Sequence, residues 1–181
     1  MAARHVALLR GINVGKAKRI AMADLRTLME QLGYQDVRTL LNSGNVVFTV
    51  PRASRGDVSA RIERAISSSM GVTSRVTVLT AAELEGVVRD NPLLGVADNH
   101  SRLMVSVLAD PADRGLLKPL TRQDWKPEAL ALGARVSYLW CPRGIIESPL
   151  ATAVARLLGD GVTSRNWATI VKLHSLAGEA D

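Results

Sequence analysis

A glycine-rich, basic turn follows the first apolar segment of the chain and has the composition of an anion-binding loop. Arg10 and Lys16 enclose the residues Gly-Ile-Asn-Val-Gly. Glycines let backbone N–H groups turn towards an anion, and the two cations add charge. The turn is one residue too short for a Walker phosphate loop, and Ala17 stands where that loop needs a magnesium-binding hydroxyl. We therefore predict an anion-binding turn of another kind; the alternative is a tight connection whose charges face water.

A predicted hairpin carries further short polar side chains. Its tip, residues 42–45, reads Asn-Ser-Gly-Asn between two runs rich in β-branched residues. Asn and Ser at such a tip commonly bond their own backbone. The alternative is that Asn42 or Asn45 reaches a ligand beside Arg10.

The end of the chain predicts a helix with one polar stripe. A helix over Thr163–Leu176, capped by its first Thr or Ser, aligns Arg165, Thr169 and Lys172 within a narrow wedge at 100° per residue. A helix N-terminus also favours anions. The alternative is an ordinary amphipathic helix whose polar face is in water.

We expect these segments to form the walls of one anion-favouring cleft between two halves of the protein. A phosphate-bearing small molecule fits such a cleft, and nucleic acid is the weaker alternative because the strands offer few aromatic side chains on which bases could stack. The candidate ligand-binding residues are Arg10, Asn13, Lys16, Ser43, Asn45, Arg165, Asn166, Thr169 and Lys172.

Two other functions stay open. The first is an enzyme acting on a phosphorylated or carboxylated small molecule, in which Arg165 and Lys172 would stabilise developing negative charge. The second is a structural or interaction module, in which Asn13, Asn45 and Asn166 would bond buried backbone and Arg165 would be paired internally.

Residue types that carry catalysis or bind metals are sparse. The three histidines are too scattered for the spacing of a metal site. Cys141 ends an apolar strand before Pro142, which favours a buried thiol over a nucleophile. We therefore predict no metal and no cofactor, and the catalytic residues, if any exist, stay unknown.

Composition limits the class of protein. The 181 residues are 47% hydrophobic but only 3% aromatic, so Leu, Val, Ile and Ala must build the core. The net charge is +6, and residues 1–50 hold seven Lys or Arg and three acidic residues, which favours a localised anion site over an evenly charged surface. A single cysteine, no apolar stretch long enough to span a bilayer and no secretory signal predict a cytoplasmic protein without a membrane association. The oligomeric state is not predicted.

The order of elements predicts an α+β fold made of two ferredoxin-like halves in tandem. Residues 1–80 read β-α-β-β-α-β, with helices over residues 22–32 and 57–70. Asp57 caps the second of these helices and Gly71 ends it. A capping box at Thr80 and Glu83 starts the connecting helix and loop of residues 81–101. Further helices are expected over residues 111–120 and 149–158. Residues 102–181 read β-α-β-β-α-α, a diverged second half with an extra C-terminal helix and its final strand short or lost.

Long motifs at both ends of the chain resemble one family. The start Ala-Leu-Leu-Arg-Gly-Ile-Asn-Val-Gly at residues 7–15 and the close Thr-x-Arg-Asn-Trp-x-x-Thr-x-x-Lys-Leu near the C-terminus are similar to a widespread bacterial family of uncharacterised proteins, known as a domain of unknown function. The resemblance spans essentially the whole chain. It implies an α+β fold of two ferredoxin-like halves and no established activity.

Overall fold

Two four-stranded antiparallel sheets carry the fold, one in each of two compact units. The computed structural model describes residues 2–179. The first unit comprises residues 2–84 together with 173–179, and the second comprises Glu85–Lys172. The predicted halves 1–80 and 102–181 each contain all four strands of one sheet.

The first unit has the predicted β-α-β-β-α-β order. Its sheet runs β2-β3-β1-β4, and every neighbouring pair is antiparallel, which is consistent with a ferredoxin-like half. Its core is formed between one face of this sheet and two helices, with Phe48 and Met29 among the fully buried side chains. The elements are β1 Ala3–Leu9, α1 Met22–Gln31, β2 Gln35–Leu40, β3 Asn45–Val50, α2 Val58–Met70 and β4 Val76–Thr80.

Local sequence signals set the helix ends as predicted. The Asp57 carboxylate accepts the Ala60 N–H at 3.1 Å and begins α2, and Gly71 ends it in the left-handed conformation. Thr80 and Glu83 form the predicted capping box, because each side chain accepts the backbone N–H of the other residue. That box starts α3, Ala81–Arg89.

The second unit repeats the topology of the first. Its sheet runs β6-β7-β5-β8, which is the same order shifted by four strands, and again all pairs are antiparallel. The predicted helix over 111–120 is instead the short helix α4 between two 3₁₀ turns, Pro111–Asp113 and Lys118–Arg122. The elements are β5 Leu103–Leu108, α4 Arg114–Leu117, β6 Ala129–Leu132, β7 Val136–Trp140, α5 Pro149–Leu158, β8 Val162–Asn166 and α6 Trp167–Gly178.

The end of the chain corrects two predictions. The final strand of the second half is present, because Val162–Asn166 pairs with β5 over its full length. The last helix therefore begins at Trp167 rather than at Thr163. The run Val-Thr-Ser-Arg-Asn resembles a helix cap locally, but the exposed edge of β5 offers it a complete set of backbone partners.

Candidate functional site

Two other segments of the first unit hold the start of the basic turn by hydrogen bonds. The Leu9 N–H donates to the Gly44 carbonyl at 2.8 Å, and the Arg10 N–H donates to the Arg75 carbonyl at 2.9 Å. The Ser74 hydroxyl donates to the Arg10 carbonyl at 2.9 Å. The loop of residues 10–20 therefore leaves the sheet at a place that is held by the hairpin tip on one side and by the start of β4 on the other.

Asn13 closes this loop with its side chain. Its amide nitrogen donates to the Ile20 carbonyl at 2.8 Å, and its amide oxygen accepts the Ile20 N–H at 2.8 Å. The same nitrogen donates to the Asn42 carbonyl at 2.7 Å, and the Asn13 backbone N–H donates to the Lys18 carbonyl at 3.0 Å. Both ends of the loop and the hairpin tip are thus joined through one residue.

The closed loop presents positive charge to solvent. Arg10, Lys16, Lys18 and Arg19 are all exposed, and no acidic residue precedes Asp24 in the sequence. Among the residues 2–179, no carboxylate lies within salt-bridge distance of either lysine. An anion that approaches this loop meets cations without a competing negative charge on the same segment.

Alternating backbone conformations give the first half of the loop its shape. Gly11, Asn13 and Gly15 have φ of +67°, +55° and +64°, while the residues between them do not have positive φ. Successive residues of opposite hand turn neighbouring N–H groups to one side, which is the geometry of anion-binding nests in proteins. Asn tolerates this region better than other non-glycine residues, and this explains its type at position 13.

The hairpin tip is built for close approach to the loop. A Cβ on Gly44, which has φ of +85°, would lie 2.7 Å from the Leu9 Cβ and 2.9 Å from the Ile12 Cδ1. Asn45 is fully buried, and its amide donates to the Leu40 carbonyl at 2.8 Å and to the Ser43 hydroxyl at 2.9 Å. Ser43 itself is exposed at the tip.

Arg165, one of the two candidate cations of the second unit, is buried. The residue is on β8, and its guanidinium Nη1 donates to the Thr163 hydroxyl and to the Ser164 carbonyl, both at 2.9 Å. Burial lowers the pKa of Arg165 to about 10. The side chain is still protonated at neutral pH, so the fold holds a charge within this unit.

The predicted polar stripe on the last helix was wrong, because its three members do not share a helix. Arg165 precedes the helix, Thr169 is buried on α6, and Lys172 is exposed on α6. Asn166 takes the capping role expected of Thr163 or Ser164, since its side-chain oxygen accepts the Thr169 N–H at 2.9 Å.

The structure therefore brings together five of the nine candidate residues in the first unit, where the loop and the hairpin tip contact each other. The other four belong to the second unit. A joint cleft between the halves stays a prediction. Sequence reasoning missed Ser74 and Asn42 as supports of the loop, because an isolated Ser and a backbone carbonyl carry no pattern.

Catalytic and metal-binding chemistry has little support in the described part of the chain. Within residues 2–179, no three His, Cys, Asp or Glu side chains cluster closely enough to hold a metal ion. Cys141 is buried as predicted, and this burial raises the pKa of its thiol, although a hydrogen bond with Ser148 opposes the shift. Over the same residues, no helix combines the length and the apolar character that crossing a membrane requires.

Comparisons with other proteins place the chain without assigning an activity. A family model described as "Protein of unknown function (DUF1697)" matches residues 2–138. The chain is also similar to a solved structure, the conserved bacterial protein SP0830 from Streptococcus pneumoniae, with a TM-score of 0.70 and 20% identity over 98% of this chain and 99% of that one. At this identity the likeness shows the fold alone. None of the curated proteins matches the chain.

Proposed function

Since the chain belongs to the DUF1697 family, whose function is unknown, we propose a function from its own geometry: it binds a phosphate-bearing small molecule at the loop of residues 10–20. The observation that carries this proposal is the closed, exposed loop with four cations and no acid. Bonds between charged groups and phosphate oxygens are the strong class of hydrogen bond. A loop that is closed before binding also loses less conformational freedom on binding.

A groove beside the loop has room for the rest of such a ligand. Arg19 borders a groove of about 350 Å³ that continues between α1 and α2. Its polar lining includes Asp24, Thr27, Gln31 and Ser69, whose side chains accept and donate hydrogen bonds. In this proposal the phosphate contacts the loop, and a hydroxyl-bearing part of the ligand lies in the groove. The same proposal places the protein in the cytoplasm, where phosphorylated metabolites are plentiful and a chain with one cysteine needs no disulfide.

A second candidate is a structural or interaction module without a ligand. The observation in its favour is that Asn13, Asn45 and Asn166 all use side-chain amides on backbone groups of their own unit. In that case the same asparagines that mark the loop and the hairpin serve folding, and the exposed cations only keep the protein in solution.

Titration with inorganic pyrophosphate separates the two candidates. Isothermal calorimetry at constant ionic strength would compare the wild type with a Lys16→Gln/Arg19→Gln variant. A Lys118→Gln/Arg156→Gln variant is the matched control, because it removes the same charges from exposed positions of the second unit. We expect binding to the wild type and the control, and at least about tenfold weaker binding to the loop variant, since each charged hydrogen bond contributes about 1.5–3 kcal/mol.

Thermal unfolding gives an independent readout. Pyrophosphate at about one hundred times its dissociation constant should add about 2.7 kcal/mol to the free energy of unfolding of the wild type. Equal stabilisation of all three proteins would indicate a general salt effect and would refute the loop site. If titration of the wild type with pyrophosphate gives no heat of binding, the structural or interaction module is the better explanation.

A further inference from the structure

A row of three serines crosses the centre of the sheet in the second unit. Ser106 on β5 lies directly opposite Ser137 on β7 and directly opposite Ser164 on β8. Residues directly opposite each other in antiparallel strands point to the same face of the sheet. Leu139, two residues from Ser137, shares that face and packs in the core that α5 covers. The three hydroxyls therefore stand on an inner face.

The first unit shows which side chains form the equivalent row in the other sheet. Leu9 pairs with Val76 in the first sheet, as Leu108 pairs with Val162 in the second. Two residues before Leu9, the first sheet has Ala7 opposite Val46 on β3 and opposite Val78 on β4. Ala7 and Val46 belong to its apolar core, and the partly buried Val78 packs against that core.

The equivalent row in the second unit is therefore polar throughout. The strand order is the same in the two units, and the central strand pairs with its two neighbours in the same register around this row.

The hydrogen bonds of this serine row are incomplete. The Ser137 hydroxyl is fully buried and has no hydrogen-bond partner among the residues 2–179. The Ser106 and Ser164 hydroxyl oxygens are 2.8 Å apart, so one donates to the other and the second hydrogen of the pair is left over. A buried hydroxyl without a partner costs about 1–3 kcal/mol. Ser137 does not line the neighbouring cavity, so only the Ser106 and Ser164 hydroxyls of this row can meet a ligand there.

A cavity opens on the same face. It has a volume of about 230 Å³ and lies between the sheet and α5. Ser106 and Ser164 form its polar side, Thr152 adds a third hydroxyl from α5, and Leu139, Val154 and Val162 form its apolar walls. None of the residues that line this cavity is charged.

We propose that this cavity is a ligand site for a compact, uncharged molecule with an aliphatic body and one hydrogen-bonding group. The ligand should be compact because the volume of the cavity is below the range of about 300–1,000 Å³ for ordinary ligand pockets. The ligand should be uncharged, because an ion that left water for this cavity would meet no group of opposite charge. The hydrogen-bonding group faces Ser106 and Ser164, and the aliphatic body lies against α5. This site is independent of the phosphate site proposed on the first unit.

Methyl NMR of the full chain tests the proposal with cyclohexanol as the probe. We expect saturable shifts of the Leu139, Val154 and Val162 methyl signals, and no such shifts with cyclohexylammonium, a cation of nearly the same shape. The Ser164→Ala variant should bind cyclohexanol about fivefold more weakly, which is the loss of one net hydrogen bond. A Ser175→Ala variant, altered at an exposed serine outside the cavity, should bind like the wild type.

A variant that fills the cavity opening tests whether the probe binds in the cavity. Ala155 lines the cavity and is exposed on α5, so Ala155→Leu fills the opening at a position that tolerates a larger helix-forming residue. Binding should be lost in this variant while the rest of the spectrum is retained. Shifts that do not saturate, that are equally large with the cation, or that survive in Ala155→Leu would each overturn the proposal.

Discussion

Replacement of Asn13 tests whether one side chain holds the cationic loop closed. The Asn13→Ala variant loses the two bonds to Ile20 and the bond to the Asn42 carbonyl. Each part-buried bond contributes about 1 kcal/mol net, and the exposed bond to Asn42 contributes about half of that. Alanine at φ of +55° adds about 1 kcal/mol of backbone strain. The free energy of unfolding should therefore fall by about 3.5 kcal/mol.

Two further variants separate the causes. Asn13→Gly loses the same bonds but is relaxed at positive φ, so it should be about 1 kcal/mol more stable than the alanine variant. Asn13→Asp keeps an acceptor for the Ile20 N–H but turns a second carboxylate oxygen towards the Ile20 and Asn42 carbonyls. At neutral pH it should be no more stable than the alanine variant, although it is nearly the same shape as Asn.

The assay is urea denaturation followed by far-UV circular dichroism. Tryptophan fluorescence is unsuited to this variant, because Trp125, Trp140 and Trp167 all lie in the second unit. In a thermal scan, a loss of about 3.5 kcal/mol corresponds to a fall in Tm of roughly 7–14 °C for a chain of this size. An alanine variant within about 0.5 kcal/mol of the wild type would refute the closed-loop account, since three hydrogen bonds would then contribute nothing.

Three other predictions concern packing and titration. Gly44→Ala should unfold at markedly lower urea than Gly33→Ala, because both glycines have φ near +85° but only at Gly44 would a Cβ meet other atoms within 3 Å. In the folded protein, absorbance titration should show both tyrosines ionising at higher pH than free tyrosine does, because burial raises the pKa of Tyr34 and raises that of Tyr138 to about 12. Their contribution to stability is complete below the unfolded pKa of about 10 and is lost as pH rises through the folded values, so urea midpoints should fall above pH 10; constant midpoints would contradict this. Cys141 should react with a thiol reagent only after denaturation, and stoichiometric reaction of the native protein would show that the thiol is accessible.

The parts of the fold that the sequence predicted are those that depend on neighbours along the chain. The capping box of Thr80 and Glu83 spans four residues, and the turn at Gly44 needs a positive φ that glycine adopts without strain. Period and caps also predicted α1, α2 and α5 at nearly their observed bounds. In each case the residues that form the element also carry its signal.

The strand β8 could not be predicted in the same way. Its five residues include Thr, Ser and Asn, which are typical of helix caps, and it becomes a strand because β5 pairs with it from more than fifty residues away. The misplacement of Arg165 follows directly, since a residue assigned to an exposed helix face is in fact buried on a strand. Non-local pairing therefore decided both the element and the environment of a candidate site residue.

The candidate site shows a related ambiguity in what asparagine does. Asn13 drew attention as a ligand-binding residue because it stands in a glycine-rich basic turn. The same small amide in the same turn is what bonds Ile20 and Asn42. A sequence pattern reports that a loop needs a short amide, but it does not report whether the amide faces the backbone or a ligand.

Comparison of the two units separates what the topology requires from what it leaves open. Both sheets have the same strand order, and their central strands pair in the same register around this row, so neither a serine row nor an apolar row is needed to form this sheet. The cavity lies between the sheet of the second unit and α5, and two hydroxyls of the serine row border it. Apolar side chains beside an empty cavity would lower the stability of the unit and could give a ligand no hydrogen bond. Hydroxyls in the same place can bind the polar group of a ligand. The serine row therefore has an explanation in the proposed cavity site and none in the topology of the sheet.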